Sequence, residues 1–208
     1  MRNLVLHAVS NHEDDILESS SLNCHAIGLH SIKIFEEGEI TIRLYVVTSD
    51  HNIWRNGKVG ISGESTISGY HPHHSNITID MIKGSALNKK IKCDPAGNET
   101  LKKFLYDKSV EEKKISNGFK YIGNENVSFI ENKRIDSGNY ISMDSTELHD
   151  MFIEKGETAA WLVYTSKKDK NYTPHIWSNA DLDQLDTSDF YKKMTRKDLY
   201  YLLELAGI

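Results

Sequence analysis

Cysteine, proline, cationic excess and long apolar runs are all scarce in this chain, and each scarcity excludes something. Its two cysteines, Cys24 and Cys93, stand far apart with no CxxC spacing, which argues against a disulfide framework or a zinc knuckle and for two reduced thiols. No segment approaches the ~20 consecutive apolar residues of a membrane helix. The opening MRNLVLHAVSNHEDDI also lacks the apolar core of a signal peptide, so a cytoplasmic protein with no membrane partner is expected. A formal charge of −5 supplies no general attraction for phosphate backbones, so nucleic acid is not an expected partner. GxSxG, Walker and HExxH motifs are absent as well, which removes the sequence support for those catalytic classes.

What is present is an ordinary globular composition, 38% apolar and 26% charged, enough to bury a core. With only three prolines, short alternating runs of Ile, Val, Tyr and Thr recur between Gly, Asn, Asp and Ser, the rhythm of an all-β chain. Strands are expected at Ser31 to Phe35, Glu39 to Thr48, Asn76 to Lys83, Leu87 to Cys93, Val127 to Ile135, Leu148 to Glu154 and Thr158 to Thr165. The last is almost continuously apolar and should be central. From Cys93 to Asn124 the periodicity weakens, and the charged stretch Glu111 to Lys114 reads as an exposed excursion. Near the end, Thr195 stands three residues before Asp198, and Leu199, Leu202, Leu203 and Leu205 follow. That is a capped helix over about 196–205 with Gly207 as its stop, suited to covering the β-structure. No repeat or linker divides the chain, so one domain over 1–208 is expected, with a barrel at about 30–165.

Chemistry concentrates in the histidines, ten in all. In Gly69-Tyr-His71-Pro-His73-His74, residues two apart on an extended chain project to one side, so His71 and His73 can present imidazoles together while His74 points away. Imidazole suits iron, zinc, copper and nickel, and three protein donors leave positions open for water, dioxygen or substrate. His149, at the start of a strand, is the best third donor. A lone HxH pair is as often a solvated turn as a site; the strand context and the downstream partner favour the site.

These motifs resemble those of the cupin superfamily, small jelly-roll β-barrels with two metal-binding motifs. The HxH pair and strand-closing glycine of the first are matched by His71, His73 and Gly84, and the glycine turn and lone histidine of the second by Gly138 and His149. Asp144 and Thr146 stand where that turn has Pro and a second Gly. Ile77 and Thr78 occupy the place of the usual glutamate ligand. That departure is similar to the three-histidine cupins, of which thiol dioxygenases are the best-known kind; Leu148-His149 with Glu157 to Tyr164 resembles their second motif.

The resemblance implies an all-β, cupin-like jelly-roll barrel with a C-terminal helix. It also implies a divalent metal, Fe(II) foremost with Zn, Ni or Mn as the other ions, on His71, His73 and His149. The expected activity is that of a non-haem iron dioxygenase acting on a small anionic metabolite; the alternative is a non-catalytic cupin that binds or sequesters a small-molecule ligand. Pairing of exposed β-edges into a homodimer is expected as well.

Such an enzyme needs an arginine for the substrate's carboxylate. Arg43 is better placed than Arg55, because it shares a strand face with Thr41 and Tyr45, although charged strand residues are mostly surface groups. Of the phenols, Tyr164 is preferred to Tyr140 for a catalytic role, against the commoner role of aromatic packing. His51 is expected in an exposed turn and His175 in a structural one. Asn76 and Asp80 are left outside the metal set, since either face of their strand could be the interior.

Overall fold

The computed structural model describes residues 2–24, 28–48, 69–107, 117–154, 156–166, 172–186 and 188–208. The Glu111 to Lys114 excursion, Arg55 and His51 lie outside the described residues. The chain opens with α1 (Arg2–Ser19), followed by β1 (Ser21–Leu22), β2 (Leu29–Glu37), β3 (Ile40–Val47), β4 (Ile77–Lys83), β5 (Ser85–Cys93) and β6 (Glu99–Tyr106). Next come β7 (Phe119–Asp136), β8 (Tyr140–Met143), β9 (Leu148–Phe152), β10 (Ala159–Thr165), β11 (His175–Ser178) and β12 (Lys192–Lys193), and the chain ends in α2 (Arg196–Ala206).

The strands make two sheets, in the orders β12-β1-β2-β3-β10-β4-β8 and β11-β6-β7-β5-β9. The central pairs nest from outside inward. β3 pairs with β10, the short stretch at His71 with β9, β4 with β8, and β5 with β7, every pair antiparallel. A long antiparallel hairpin rolled over two sheets in this way is a jelly roll. β10 lies between β3 and β4, the central place its apolar run predicts.

Alternation along the strands separates three cores. Tyr45, Val47, Ile77, Ile79, Met81, Met151, Ile153, Trp161 and Val163 fill the space between the sheets. Leu44, Val46, Ala160 and Leu162, on the reverse of the same strands, pack with α1 and α2 through Val5, Val9, Ile16, Leu199, Leu202 and Leu203. Thr78 and Asp80 therefore lie on the outer face of β4, which resolves the choice left open by the sequence. α2 has the expected capping box between Thr195 and Asp198, and Gly207 ends it in the left-handed region at φ 79°.

α1 is not anticipated by the sequence reading. Its pattern is broken at His12, whose backbone (φ −138°, ψ 33°) is non-helical, so neither half is long enough to stand out by periodicity. No helix among the described residues is long and apolar enough to cross a membrane. Neither cysteine is in a disulfide.

The third core explains how the smaller sheet is finished. Tyr70, Ile91, Leu101, Val127, Phe152 and Trp177 are buried on the side of that sheet facing away from its partner sheet. Tyr70 exchanges backbone hydrogen bonds with Trp177 of β11, and the next residue, His71, does so with His149 of β9. A single extended segment thus joins the first and last strands of the sheet, which curls into a closed ring around its own core. From Ala86 to Ile91, strand β5 is consequently covered on both faces.

Candidate metal centre

His71 and His73 do not sit on β4, as a continuous strand through Lys83 would require. They lie on the seam segment before it, with Pro72 between them, and residues 72–76 carry the chain across to the other sheet. His149 lies on β9 on the same side as Met151 and Ile153, so its ring enters the space between the sheets. The register His71 with His149 follows from the seam and brings together residues far apart in sequence.

One ligating atom from each of His71, His73 and His149 lies within 4.8 Å of the others. Ring centroids are 4.9 Å apart for His71 and His73, 5.5 Å for His71 and His149, and 4.9 Å for His73 and His149. The Nε2 atoms of His73 and His149 are 2.7 Å apart. Two nitrogens bonded to one ion at ~2.1 Å and a right angle would stand ~3.0 Å apart, a few tenths of an ångström from that value. The Nδ1 of His71 is 2.8 Å from the carbonyl of Gly69. A carbonyl only accepts, so Nδ1 carries the proton and the neutral ring keeps its lone pair on Nε2.

Burial sets the protonation of these rings. Desolvation lowers the pKa of His71, against the pull of its bond to Gly69. It holds that of His149 well below the ordinary histidine value, helped by His73, His71 and Lys90. Both are therefore neutral at neutral pH, the form that ligates. The residues fit a divalent metal of the kind imidazole binds: three nitrogen donors converge from the half-buried seam segment and from buried β9.

Two neighbours of the site carry no distinctive signal in the sequence. Asn88, fully buried on β5, has its Oδ1 2.7 Å from Nδ1 of His149. Lys90 is the register partner of His149 on β5, and its ammonium meets Glu147 at 2.7 Å and Glu131 at 3.0 Å. Alternation places both among the outward polar positions, opposite Leu87 and Ile91. The closed ring reverses the assignment, because Leu87 and Ile91 face the sheet's own core and Asn88 faces the inter-sheet space.

Arg43 lies on the face of β3 that carries Tyr45 and Val47 toward the inter-sheet core, and its Nη1 donates to Ser31 Oγ at 3.1 Å. Tyr164 does not join the histidines. It packs against the helix-covered core with Ile42, whereas its neighbour Val163 faces inward; burial, with Asp80 nearby, raises its phenol pKa. The one-residue difference in strand position puts it on the wrong side of β10. His74 stacks obliquely near Tyr172, ring centroids 6.1 Å apart, and His175 meets Trp177 edge-on at 5.9 Å; neither belongs to the three-histidine group.

The nested pairing of the strands and the histidines held between the sheets now stand together. The fold is a jelly roll. No family model matches the chain, and no curated protein matches it.

Among solved structures, a cupin superfamily protein from Desulfitobacterium hafniense is 8% identical, over 67% of this chain and 78% of that one, with a TM-score of 0.35. The polyketide cyclase RemF from Streptomyces resistomycificus is 11% identical over 86% of both chains, with a TM-score of 0.41. Hydroquinone 1,2-dioxygenase from Sphingomonas sp. TTNP3 is 13% identical over 65% of this chain and 64% of that one, with a TM-score of 0.35. These likenesses are distant, and the strand pairing described above is what defines the fold.

Proposed function

We propose that this chain is a metal-dependent cupin enzyme, a mononuclear non-haem iron dioxygenase acting on a small anionic metabolite. The convergence of His71, His73 and His149 within 4.8 Å carries this reading. These three side chains would hold the ion; when bound, ferrous iron would supply a Lewis acid and a centre for dioxygen activation. Three neutral donors leave the ion's charge uncompensated, which favours an anionic chelating substrate over a neutral one. Arg43, on the inward face of β3, is the residue we assign to pairing with the substrate's anionic group. The apolar wall of Met81, Met151 and Trp161 excludes water from the space between the sheets, and so strengthens the electrostatic attractions made there.

Metal analysis of protein purified without chelators, followed by oxygen uptake with a panel of thiols, diols and keto acids, tests this reading. Stoichiometric iron with substrate-dependent uptake, both abolished by His71→Ala, is the expected result. Metal-free protein that binds a metabolite equally well with and without His71 would overturn it in favour of a non-catalytic binding module. Turnover without oxygen uptake would replace the dioxygenase with a hydrolytic or isomerising metalloenzyme.

A further inference from the structure

We infer that Asn88 is a positioning residue, holding the proton of His149 on Nδ1 so that the Nε2 lone pair faces the ion-binding centre. The inference rests on the metal reading above and adds a residue to it. Asn88 lies wholly inside the protein, on the strand beside β9, with its Oδ1 2.7 Å from Nδ1 of His149. Its other polar atom, Nδ2, is buried and has no hydrogen-bond partner among the described residues. A buried N–H left unpaired costs stability that an apolar residue of similar volume would avoid. A carboxamide at this position is therefore explained by what its oxygen does, and among the described residues its oxygen bonds only the imidazole.

The His71 ring supplies the comparison. Its Nδ1 faces a carbonyl that can only accept, so its Nε2 is unprotonated in the neutral ring. With Oδ1 of Asn88 toward Nδ1 of His149, the second ring is set the same way, which leaves Nε2 of His149 to accept from Nε2 of His73 across 2.7 Å. The opposite amide orientation would put the proton on Nε2 of His149, directed at His73 and at any cation between them. Orienting partners of this kind are part of metal sites generally, where they fix tautomer and ring direction. The neutral amide differs from a carboxylate in doing this without adding negative charge, so the full charge of the ion remains available to an anionic ligand.

The test compares wild type with Asn88→Leu, which keeps the volume and removes the acceptor, and with Asn88→Asp, which keeps the acceptor. Long-range 15N–1H spectra of the metal-free protein report which nitrogen of His149 is protonated, and optical titration with Co2+ reports binding. The expected result is Nδ1–H in the wild type and Asn88→Asp, with loss of that single tautomer in Asn88→Leu. Co2+ affinity should fall about 10- to 100-fold in Asn88→Leu and return in Asn88→Asp.

A proton on Nε2 of His149 in the wild type overturns the inference, and that spectrum decides the matter even if Asn88→Leu does not fold. Unchanged Co2+ affinity in a folded Asn88→Leu overturns it too. Wild type that takes up no Co2+ overturns the metal reading instead, and the two failures are separable because the tautomer spectrum needs no ion.

Discussion

Replacing Gly69 with alanine isolates the geometry of the seam that carries two of the three histidines. Gly69 has φ +88° and Gly138, in the turn between β7 and β8, has φ +85°. Both occupy the left-handed region, where a Cβ costs ~1–2 kcal/mol. Their surroundings differ. A Cβ on Gly138 meets nothing within 4 Å, whereas one on Gly69 lies 2.8 Å from the Trp177 carbonyl oxygen and 2.9 Å from Ile176 Cγ2. The carbonyl cannot give way freely, since it accepts the 2.8 Å hydrogen bond from Tyr70 N that closes the sheet. Relieving the overlap by main-chain movement adds about 1–3 kcal/mol, the usual range for overpacking.

Gly138→Ala should therefore lower the unfolding free energy by about 1–2 kcal/mol and Gly69→Ala by about 2–5 kcal/mol. Equilibrium unfolding in urea, followed by circular dichroism and extrapolated linearly, measures both. Because the Gly69 carbonyl also holds the His71 ring, Gly69→Ala should weaken Co2+ binding while Gly138→Ala leaves it alone. Equal destabilisation by the two substitutions would refute the account of the seam, since the backbone angle would then explain everything and the close approach nothing.

Thr195→Ala removes the capping box of α2 and should cost about 0.5–2 kcal/mol in the same unfolding assay. The thiol of Cys93, on an exposed residue, is pushed up to about 11 by partial desolvation of the sulfur and by the carboxylate of Glu125. Alkylation should thus be slow at neutral pH and accelerate as the solution becomes strongly alkaline, with Glu125→Gln moving the rate profile to lower pH. Burial alone would raise the pKa of Glu147, but its bonds to Lys90 and to the Asp144 N–H leave it lowered. A carboxylate depressed in the folded state contributes stability above its unfolded value of about 4.3, and that stability is lost as pH falls through the folded value. Lys90→Met should flatten this acid limb of the stability profile, read by thermal denaturation across pH 3 to 6, a window that brackets roughly that unfolded value.

The parts legible in the sequence are those whose signal is local or chemical. The near-continuous apolar run of β10 shows a strand covered on both faces, and Thr195 with Asp198 marks the start of α2. The His71, His73 and His149 group is readable because histidine at alternate positions is a chemical pattern, whatever the strand register. What is not legible follows from long-range closure. β6 hides because its two buried residues, Leu101 and Phe104, stand three apart and so project to opposite faces, leaving no alternation of apolar and polar positions to read. Asn88 and Lys90 read as solvent-facing because nothing in β5 announces that its other face also has a core. Tyr164 illustrates the sensitivity of face to register, since the inward position on that part of β10 belongs to Val163.

The ring formed by the smaller sheet has a consequence for how copies of this chain could meet. With the seam segment bonded to β9 at His149 and to β11 at Trp177, a foreign strand could not be appended at those two positions without displacing it. Among the described residues, the larger sheet ends at β8 and the two-residue β12, and β1 pairs with β2 at Ser21 and Ser31 alone, so β2 beyond Ser31 has no strand on that side. Strand-to-strand pairing with a neighbouring molecule would use those borders, whereas association at the two bonded positions of the circuit would proceed through side chains.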